Sequence, residues 1–399
     1  MALNRSPRPV DRAQALQLHQ TLKMARSAHA YVRGSTVKFY EWLDNQKRGT
    51  LPEGPAIWIC GDCHAGNLGP VAGADGRVAV QIRDFDQTVI GNPAHDIIRL
   101  ALSLSTASRG SDLPGVTTAH ILEEVVRGYQ AALGQDADSI DDAPTAVQLV
   151  MKKSVSRSWK HLAKERLDDL KPAIPLGSKF WALSKAEHAA ISGLFGLPEL
   201  RHLATSLRSR EDEVHLKVVD SAYWVKGCSS LGLLRIAVLL AIGSGKKREF
   251  ALMDVKEAVS AAAPRYSGKK MPQDQAQRVV EGAAHLSPHL GNRMTSGKIE
   301  QRSVFIRELR PQDLKLEIER LNVSDAKKAA SFLAGVVGKA HARQMDTATR
   351  NSWAKELERQ RSKSLDAPSW LWSSVVSLIG SHEVAYLEHC RKYAIDSAA

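Results

Sequence analysis

The sequence predicts an α+β protein in which a small β-rich module interrupts a helix-rich chain. Three observations carry that expectation. Apolar residues recur at helical spacing over both ends of the chain. Between Leu216 and Val255, three apolar and partly β-branched runs are joined by glycine-containing turns, the pattern of antiparallel strands. A length of 399 residues allows two or three domains, and 43% hydrophobic with 25% charged residues is an ordinary globular balance. That balance excludes collagen-like, coiled-coil and largely disordered chains. The expected division is a helical segment over 1–50, a helical lobe over 51–210, a β-rich lobe over 211–311, and helices over 312–399 that return to the helical lobe.

Taken in order, Asp11 to Gln46 reads as helical, with Leu16, Leu22, Ala25 and Tyr31 at broadly helical spacing. Ala56 to Cys60 is a short buried strand ending in a tight Gly-Asp turn. Val78 to Ile82 is a second strand, entered through the turn Ala74-Asp-Gly76. Ile97 to Ala107 is a buried helix. Asp112 to Arg210 is mostly helical, with a loop marked by Pro172 and Pro175. Three strands follow, Leu216 to Val225, Leu233 to Ile242 and Phe250 to Val255. Then come a helix from Gln273 to Leu286, a strand from Ser303 to Leu309, an Ala-rich helix from Ser324 to Gln344, and a helical remainder.

Lys and Arg outnumber Asp and Glu by 55 to 43, a net charge of +12 that attracts polyanions. The most basic stretch, Met151 to Lys171, has seven basic and three acidic residues interleaved as on a solvated helix face. No recognised nucleic-acid reader accompanies it, so nucleic acid is not the expected partner. The most apolar run, Leu231 to Gly243, contains Arg235 and falls far short of the ~20 residues of a membrane span. Met1 to Arg12 is basic without a following apolar core, unlike a secretory signal. Four cysteines in so long a chain suggest a reducing compartment, the cytoplasm by default.

The chemistry gathers in one region. Gly61-Asp62-Cys63-His64-Ala65-Gly66-Asn67 is followed by Arg83-Asp84-Phe85-Asp86 and by Gly91-Asn-Pro-Ala-His-Asp96. Asp62, Asn67, Asp84 and Asp86 all stand at the ends of expected strands, where loops expose functional groups. Such oxygen donors suit magnesium, which one or two carboxylates hold together with substrate phosphates. A further carboxylate could orient an attacking hydroxyl. Turns also use Asp, Asn and Gly, which is the competing explanation for any one of these residues.

The run G-D-x-H-x-x-N, a strand, D-F-D and G-x-P-x-x-D resembles the catalytic half of aminoglycoside phosphotransferases and choline kinases, small-molecule relatives of protein kinases. The resemblance implies that Asp62 is the catalytic base, that Asn67 and Asp84 hold metal, and that Asp96 anchors the catalytic loop. Asp86 would support a second metal or fix the loop. Cys60 departs from the pattern, which has His there. Such a fold also needs a glycine-rich loop and a strand-borne lysine. Gly227-Cys-Ser-Ser-Leu-Gly232 joins the first two β-runs and Lys256 ends the third. Gly227, Ser229, Ser230 and Gly232 would cover phosphates that Lys256 meets, although Ser229 stands where a middle glycine is expected. No Gly-Lys-Ser/Thr follows Gly232, so this is not a Walker A loop, and Gly243-Ser-Gly-Lys246 reads as a turn. Glu281 is the expected ion-pair partner of Lys256, since Glu257 would point to the opposite strand face. The strand from Val304 to Leu309 would be the hinge, with the backbone near Glu308 to Arg310 offered to adenine.

The elements stand in cyclically shifted order, with the catalytic loop near residue 62 and the lysine near 256. The implied fold is therefore a two-lobed, protein-kinase-like α+β fold, circularly permuted, with additional N- and C-terminal helices. Permutation is tolerated where breaks fall in exposed connections. With Tyr31-Val-Arg33-Gly34 upstream and Arg307-Glu-Leu-Arg-Pro311 downstream, the arrangement resembles the uncharacterised bacterial domain-of-unknown-function 2252 family from about Met24 to Arg343.

The expected function is ATP- and magnesium-dependent phosphoryl transfer to a hydroxyl of a small molecule or protein. The alternatives are a pseudokinase that binds nucleotide as a regulatory module, favoured by Cys60 and Ser229, and an AMP transferase. Cys60-Gly-Asp-Cys63 is formally C-x-x-C, but Cys228 and Cys390 are solitary, so zinc lacks further ligands at matching spacing. His64 could act in the catalytic loop or simply pack. Arg33, Arg307, Arg310 and Lys315 could meet an anionic substrate or form exposed salt bridges. Trp58 and Trp224 read as core.

Overall fold

A computed structural model describes residues 7–109, 115–134, 144–166, 172–206, 215–228, 230–245, 248–314, 323–359 and 367–393. Helices α1 (Arg12–Met24), α2 (Ala28–Gly34) and α3 (Thr36–Asp44) open the chain. The Ser27 hydroxyl caps α2 by accepting the Ala30 N–H at 3.1 Å. Strands β1 (Ile57–Ile59), β2 (Leu68–Ala72), β3 (Val78–Ile82) and β4 (Val89–Gly91) form two small antiparallel ladders, β1 with β4 and β2 with β3. The sequence revealed β1 and β3. It concealed β2, whose Gly69-Pro70 reads as a break, and β4, which is only three residues long.

Helices α4 (Ala94–Arg109), α5 (Gly115–Gly134), α6 (Thr145–Ser156) and α7 (Trp159–Arg166) come next, and then β5 (Phe180–Trp181), α8 (Lys185–Leu194) and α9 (Pro198–Ser206). The β-rich lobe continues with β6 (Leu216–Trp224), β7 (Arg235–Ile242), β8 (Glu249–Glu257), α10 (Gln275–Leu286), α11 (Pro288–Gly291), β9 (Met294–Ile299) and β10 (Arg302–Leu309). Helices α12 (Val323–Ala342), α13 (Thr347–Leu357) and α14 (Ser369–Tyr393) complete the order.

The main sheet has six strands in the order β5-β6-β7-β8-β10-β9, every neighbour antiparallel. Side chains alternate between its faces. One face presents Ile236, Val238, Met253, Val255 and Ile306, which are buried with Ile191 and Leu194 of α8, Leu200 of α9 and Leu16 of α1. The other face begins apolar, with Ala237, Leu239, Leu252 and Leu309. Further along it becomes charged. Register sets Lys256 between Arg235 and Phe305, and Asp254 between Ala237 and Arg307.

The β-rich lobe therefore extends past the edge expected at residue 211. β5 pairs with β6, and α8 and α9 pack into the same core. A two-residue strand leaves no alternation to read. The expected N-terminal unit is also divided: Leu16 of α1 joins the sheet core, while Phe39 and Tyr40 of α3 join the larger helical core.

That larger core is built from Ile98 and Leu102 of α4, Leu122 and Val125 of α5, Leu333 and Val337 of α12, and Leu371 and Leu378 of α14. Each such side chain contributes about 1.5–3 kcal/mol on burial. Helices α5 and α12 come close because Gly128 lies against the Ser331 backbone, where a Cβ would collide with it. Helix α10, which follows β8, buries Ala276, Val279, Ala283 and Leu286 in the helical core. Among the described residues, no helix is long and apolar enough to cross a membrane.

Candidate functional site

Cys60 to Asn67 connects β1 to β2 and ends in a short 3-10 turn, Ala65–Asn67. Two devices hold this loop. Gly61 has φ +75°, a region that L side chains avoid, and a Cβ there would strike the Gln87 carbonyl. Asp96, in the first turn of α4, accepts the N–H groups of Cys60 at 2.7 Å and Gly61 at 2.9 Å. Asp96 thus fixes the backbone of this loop.

Asp96 is itself positioned by a buried relay. Trp353 Nε1 donates to Tyr129 Oη at 3.1 Å, Tyr129 Oη meets His341 Nδ1 at 2.9 Å, and His341 Nε2 meets Asp96 at 3.2 Å. Trp can only donate and an ionised carboxylate only accept, so a neutral His341 would carry its proton on Nε2 and accept the tyrosine hydroxyl at Nδ1. No motif marks this relay, because its members come from α4, α5, α12 and α13.

Asp62 is 7% exposed. Its Oδ1 accepts Arg99 Nε at 2.8 Å and its Oδ2 accepts the Thr36 hydroxyl at 2.9 Å. Arg99 is fully buried and also donates to the Val32 carbonyl at 2.6 Å. Neither Thr36 nor Arg99 was expected at the site. The available clue was a lone arginine inside the apolar helix that begins at Ile97. Asn67 Nδ2 donates to the Asp62 carbonyl at 3.0 Å, and the Asn67 carbonyl accepts the Arg83 N–H at 2.8 Å. Those two bonds tie the loop to the second acidic segment.

Asp84 and Asp86 follow β3, with Phe85 between them buried in the helical core. Lys256 of β8, 3% exposed, bonds to Asp86 Oδ2 and stands 3.6 Å from Asp84 Oδ1. Burial alone would raise the Asp84 pKa, but the charges of Lys256, Arg307 and Arg235 outweigh it and hold the group well below the usual carboxylate range. Burial and the Asp84 charge push Asp86 the other way, against Lys256. Asp84 is thus the ionised member, and Asp86 is the one that would hold a proton.

The expected Lys256–Glu281 ion pair is not formed. Glu281 is exposed, on the side of α10 away from Val279 and Ala283, and helical phase keeps it from the lysine. Helix α10 contributes Arg278 instead. Its guanidinium donates to the carbonyls of Thr88, Asp86 at 3.0 Å and Val259 at 2.9 Å. The two acidic residues therefore supply the charge that the helix was expected to supply.

The turn from Gly227 to Gly232 joins β6 to β7 as expected, with φ +107° at both glycines. Lys23 of α1 donates to the Gly227 carbonyl and Ser230 is buried; Ser229 lies outside the described residues. The hinge expectation needs correction. The Glu308 carbonyl accepts Arg293 Nη1 at 2.9 Å and the Arg310 N–H is donated to Asp313 at 3.3 Å, so this backbone is already engaged. Arg307 does not form an exposed bridge either. It joins Arg235 around the fully buried Asp254, with Arg307 Nη2 at 3.2 Å and Arg235 Nε at 2.9 Å. Lys315 lies outside the described residues.

A family model described as "Uncharacterized protein conserved in bacteria (DUF2252)" matches residues 12–392. The chain belongs to that family. No curated protein and no solved structure matches it.

The donors of this DUF2252 chain can be tested against a metal. Among the described residues, no three His, Cys, Asp or Glu side chains are grouped to hold one. What is present is Asp84, whose side chain is 44% exposed, Asp86, whose buried Oδ1 has no partner, and Asn67, whose bonded amide nitrogen leaves its oxygen available. Two carboxylates and an amide fit magnesium that shares its shell with a phosphate ligand, and they do not fit an all-protein cage. Cys60 and Cys63 are buried free thiols. The neighbouring Cys63 and burial raise the Cys60 pKa well above its ordinary value, as in packed rather than reactive thiols. His64 is kept neutral by burial and by the charges of Arg33 and Arg99. Trp58 and Trp224 are core residues, as expected.

Proposed function

We propose that this chain is an ATP- and magnesium-dependent phosphotransferase with a circularly permuted kinase-like cleft, acting on a hydroxyl of a small molecule or protein. The observation that carries the reading is Lys256, an ammonium on β8 of the main sheet, bonded to an acidic segment 170 residues earlier in the chain. Element order adds support. A hairpin with a glycine turn, a strand with the lysine, a helix and a second hairpin form the nucleotide lobe that the kinase resemblance implies. Here that lobe follows the catalytic loop instead of preceding it.

In this reading Lys256 would meet the nucleotide phosphates, under the turn that includes Gly227, Ser229, Ser230 and Gly232. Asn67, Asp84 and Asp86 would hold magnesium, which when bound offsets the negative charge of the transferred phosphoryl group. Asp62, fixed by Arg99 and Thr36, would accept a hydrogen bond from the acceptor hydroxyl and orient it. Most of the catalytic power would come from positioning and charge.

A regulatory, nucleotide-binding role is favoured by one observation: both Asp62 oxygens are already bonded, one of them to a buried arginine. Phosphorus NMR of ATP incubated with magnesium, the purified protein and a deproteinised cell extract that supplies acceptor hydroxyls separates the readings. Release of ADP, abolished in Asp84→Asn, supports phosphoryl transfer. Release of pyrophosphate instead would assign AMP transfer. ATP left intact at full occupancy would overturn the enzymatic reading and leave the regulatory one.

A further inference from the structure

Between the charged face of the main sheet and the β2–β3 hairpin lies a small cavity of about 50 Å³. Arg83, Arg166, Lys226, Arg307 and Arg310 line it, and Asp313 is the one carboxylate among its described lining residues. Asp313 is already engaged from outside, since Arg293 Nη2 reaches its two oxygens at 3.0 and 3.1 Å. Arg307 is committed to Asp254.

Two of these cations, Arg83 and Lys226, form no ion pair with a carboxylate among the described residues. Arg83 donates to the backbone carbonyls of Leu314 and, at 3.2 Å, Asp313. Lys226 stands with its ammonium 4.2 Å from the centre of the Trp224 ring, and no ion pair joins it to an acidic group among the described residues. Burying a cation without an anion is costly, and burial lowers the Lys226 pKa well below its ordinary value. A bound oxyanion lying between Lys226 and Arg83 would offset that cost.

We propose that this cavity is an oxyanion subsite that takes a phosphate group, held by Lys226 and Arg83 above the Trp224 ring. Arg307 joins it to the Asp84 centre, because its Nη1 donates to the Arg83 carbonyl at 2.9 Å. The subsite does not depend on the phosphotransferase reading. The phosphate is either a free ion or one end of a larger ligand whose remainder extends toward Asp84.

Calorimetric titration of the full-length protein without magnesium tests this, with inorganic phosphate in one series and tripolyphosphate in another. Lys226→Gln should weaken binding about tenfold or more, which is the ~1.4 kcal/mol scale of a charge-assisted hydrogen bond. Lys226→Arg should restore it. The exposed Lys217→Gln should leave the affinity within about twofold, a change worth under ~0.5 kcal/mol. Equal affinities in the two series would point to a free ion, and tighter tripolyphosphate to a larger ligand; both support the subsite. Absence of binding by the unaltered protein would overturn it. So would an equal loss in Lys217→Gln, which would reduce the effect to net charge, or no loss in Lys226→Gln.

Discussion

Gly61 is where backbone geometry and chemistry meet, because its left-handed φ turns the chain into Asp62 and its missing Cβ lets the Gln87 carbonyl approach. Gly61→Ala combines backbone strain with a collision. It should lower the unfolding free energy by about 2 kcal/mol or more in urea titration, and an unchanged midpoint would contradict this account of the loop. At this scale the sequence was informative where candidate residues cluster locally. Asp62, Asn67, Asp84, Asp86 and Asp96 could be picked out as candidates because they stand in short polar runs beside strand ends and turns. Arg99, Thr36, Arg278 and His341 could not, because each reaches its partner from a distant helix. Glu281 misled for a related reason. Which face of a helix is buried depends on what packs against it, and α10 turns that glutamate to solvent.

At the scale of elements, α14 covers the helical core and places His382 near Arg99. Burial and the Arg99 charge push the His382 pKa down to about 4, and its side chain is 1% exposed. A histidine whose folded pKa lies below the unfolded value of ~6.5 binds more protons when unfolded. Its contribution to stability is therefore present above about pH 6.5 and is lost as the pH falls toward 4. Urea unfolding from pH 7 to 4 should show the unaltered protein losing about 2–3 kcal/mol more than His382→Met, and parallel pH profiles would contradict the assignment. Elements with a strong period were legible, including α4, α10, α12 and the three strands β6, β7 and β8. Strands β2, β4, β5 and β9 were not. They are short or carry glycine and proline, and pairing with a neighbour defines them more than their own pattern does.

At the scale of the molecule, the two segments that matter most are far apart in sequence and adjacent in space. The sheet gives one face to an apolar core under α8 and α9 and turns its charged rows toward the acidic loops. The mixed α+β character and the family membership were both legible from the sequence, the first from periodicity and the second from the combination of motifs. The lobe edges were not, since β5, α8 and α1 join the sheet from outside its apparent limits. Membership in an uncharacterised family assigns no ligand, so a direct test of the shared site carries the most weight. That test is a double-mutant cycle in ATP affinity, measured by calorimetry with magnesium on the unaltered protein, Lys256→Met, Asp84→Asn and the double variant. One nucleotide site built from both segments predicts magnesium-dependent binding, at least about tenfold weaker in each single variant, with a coupling of ~1 kcal/mol or more. Additive effects, or binding indifferent to both changes, would contradict it.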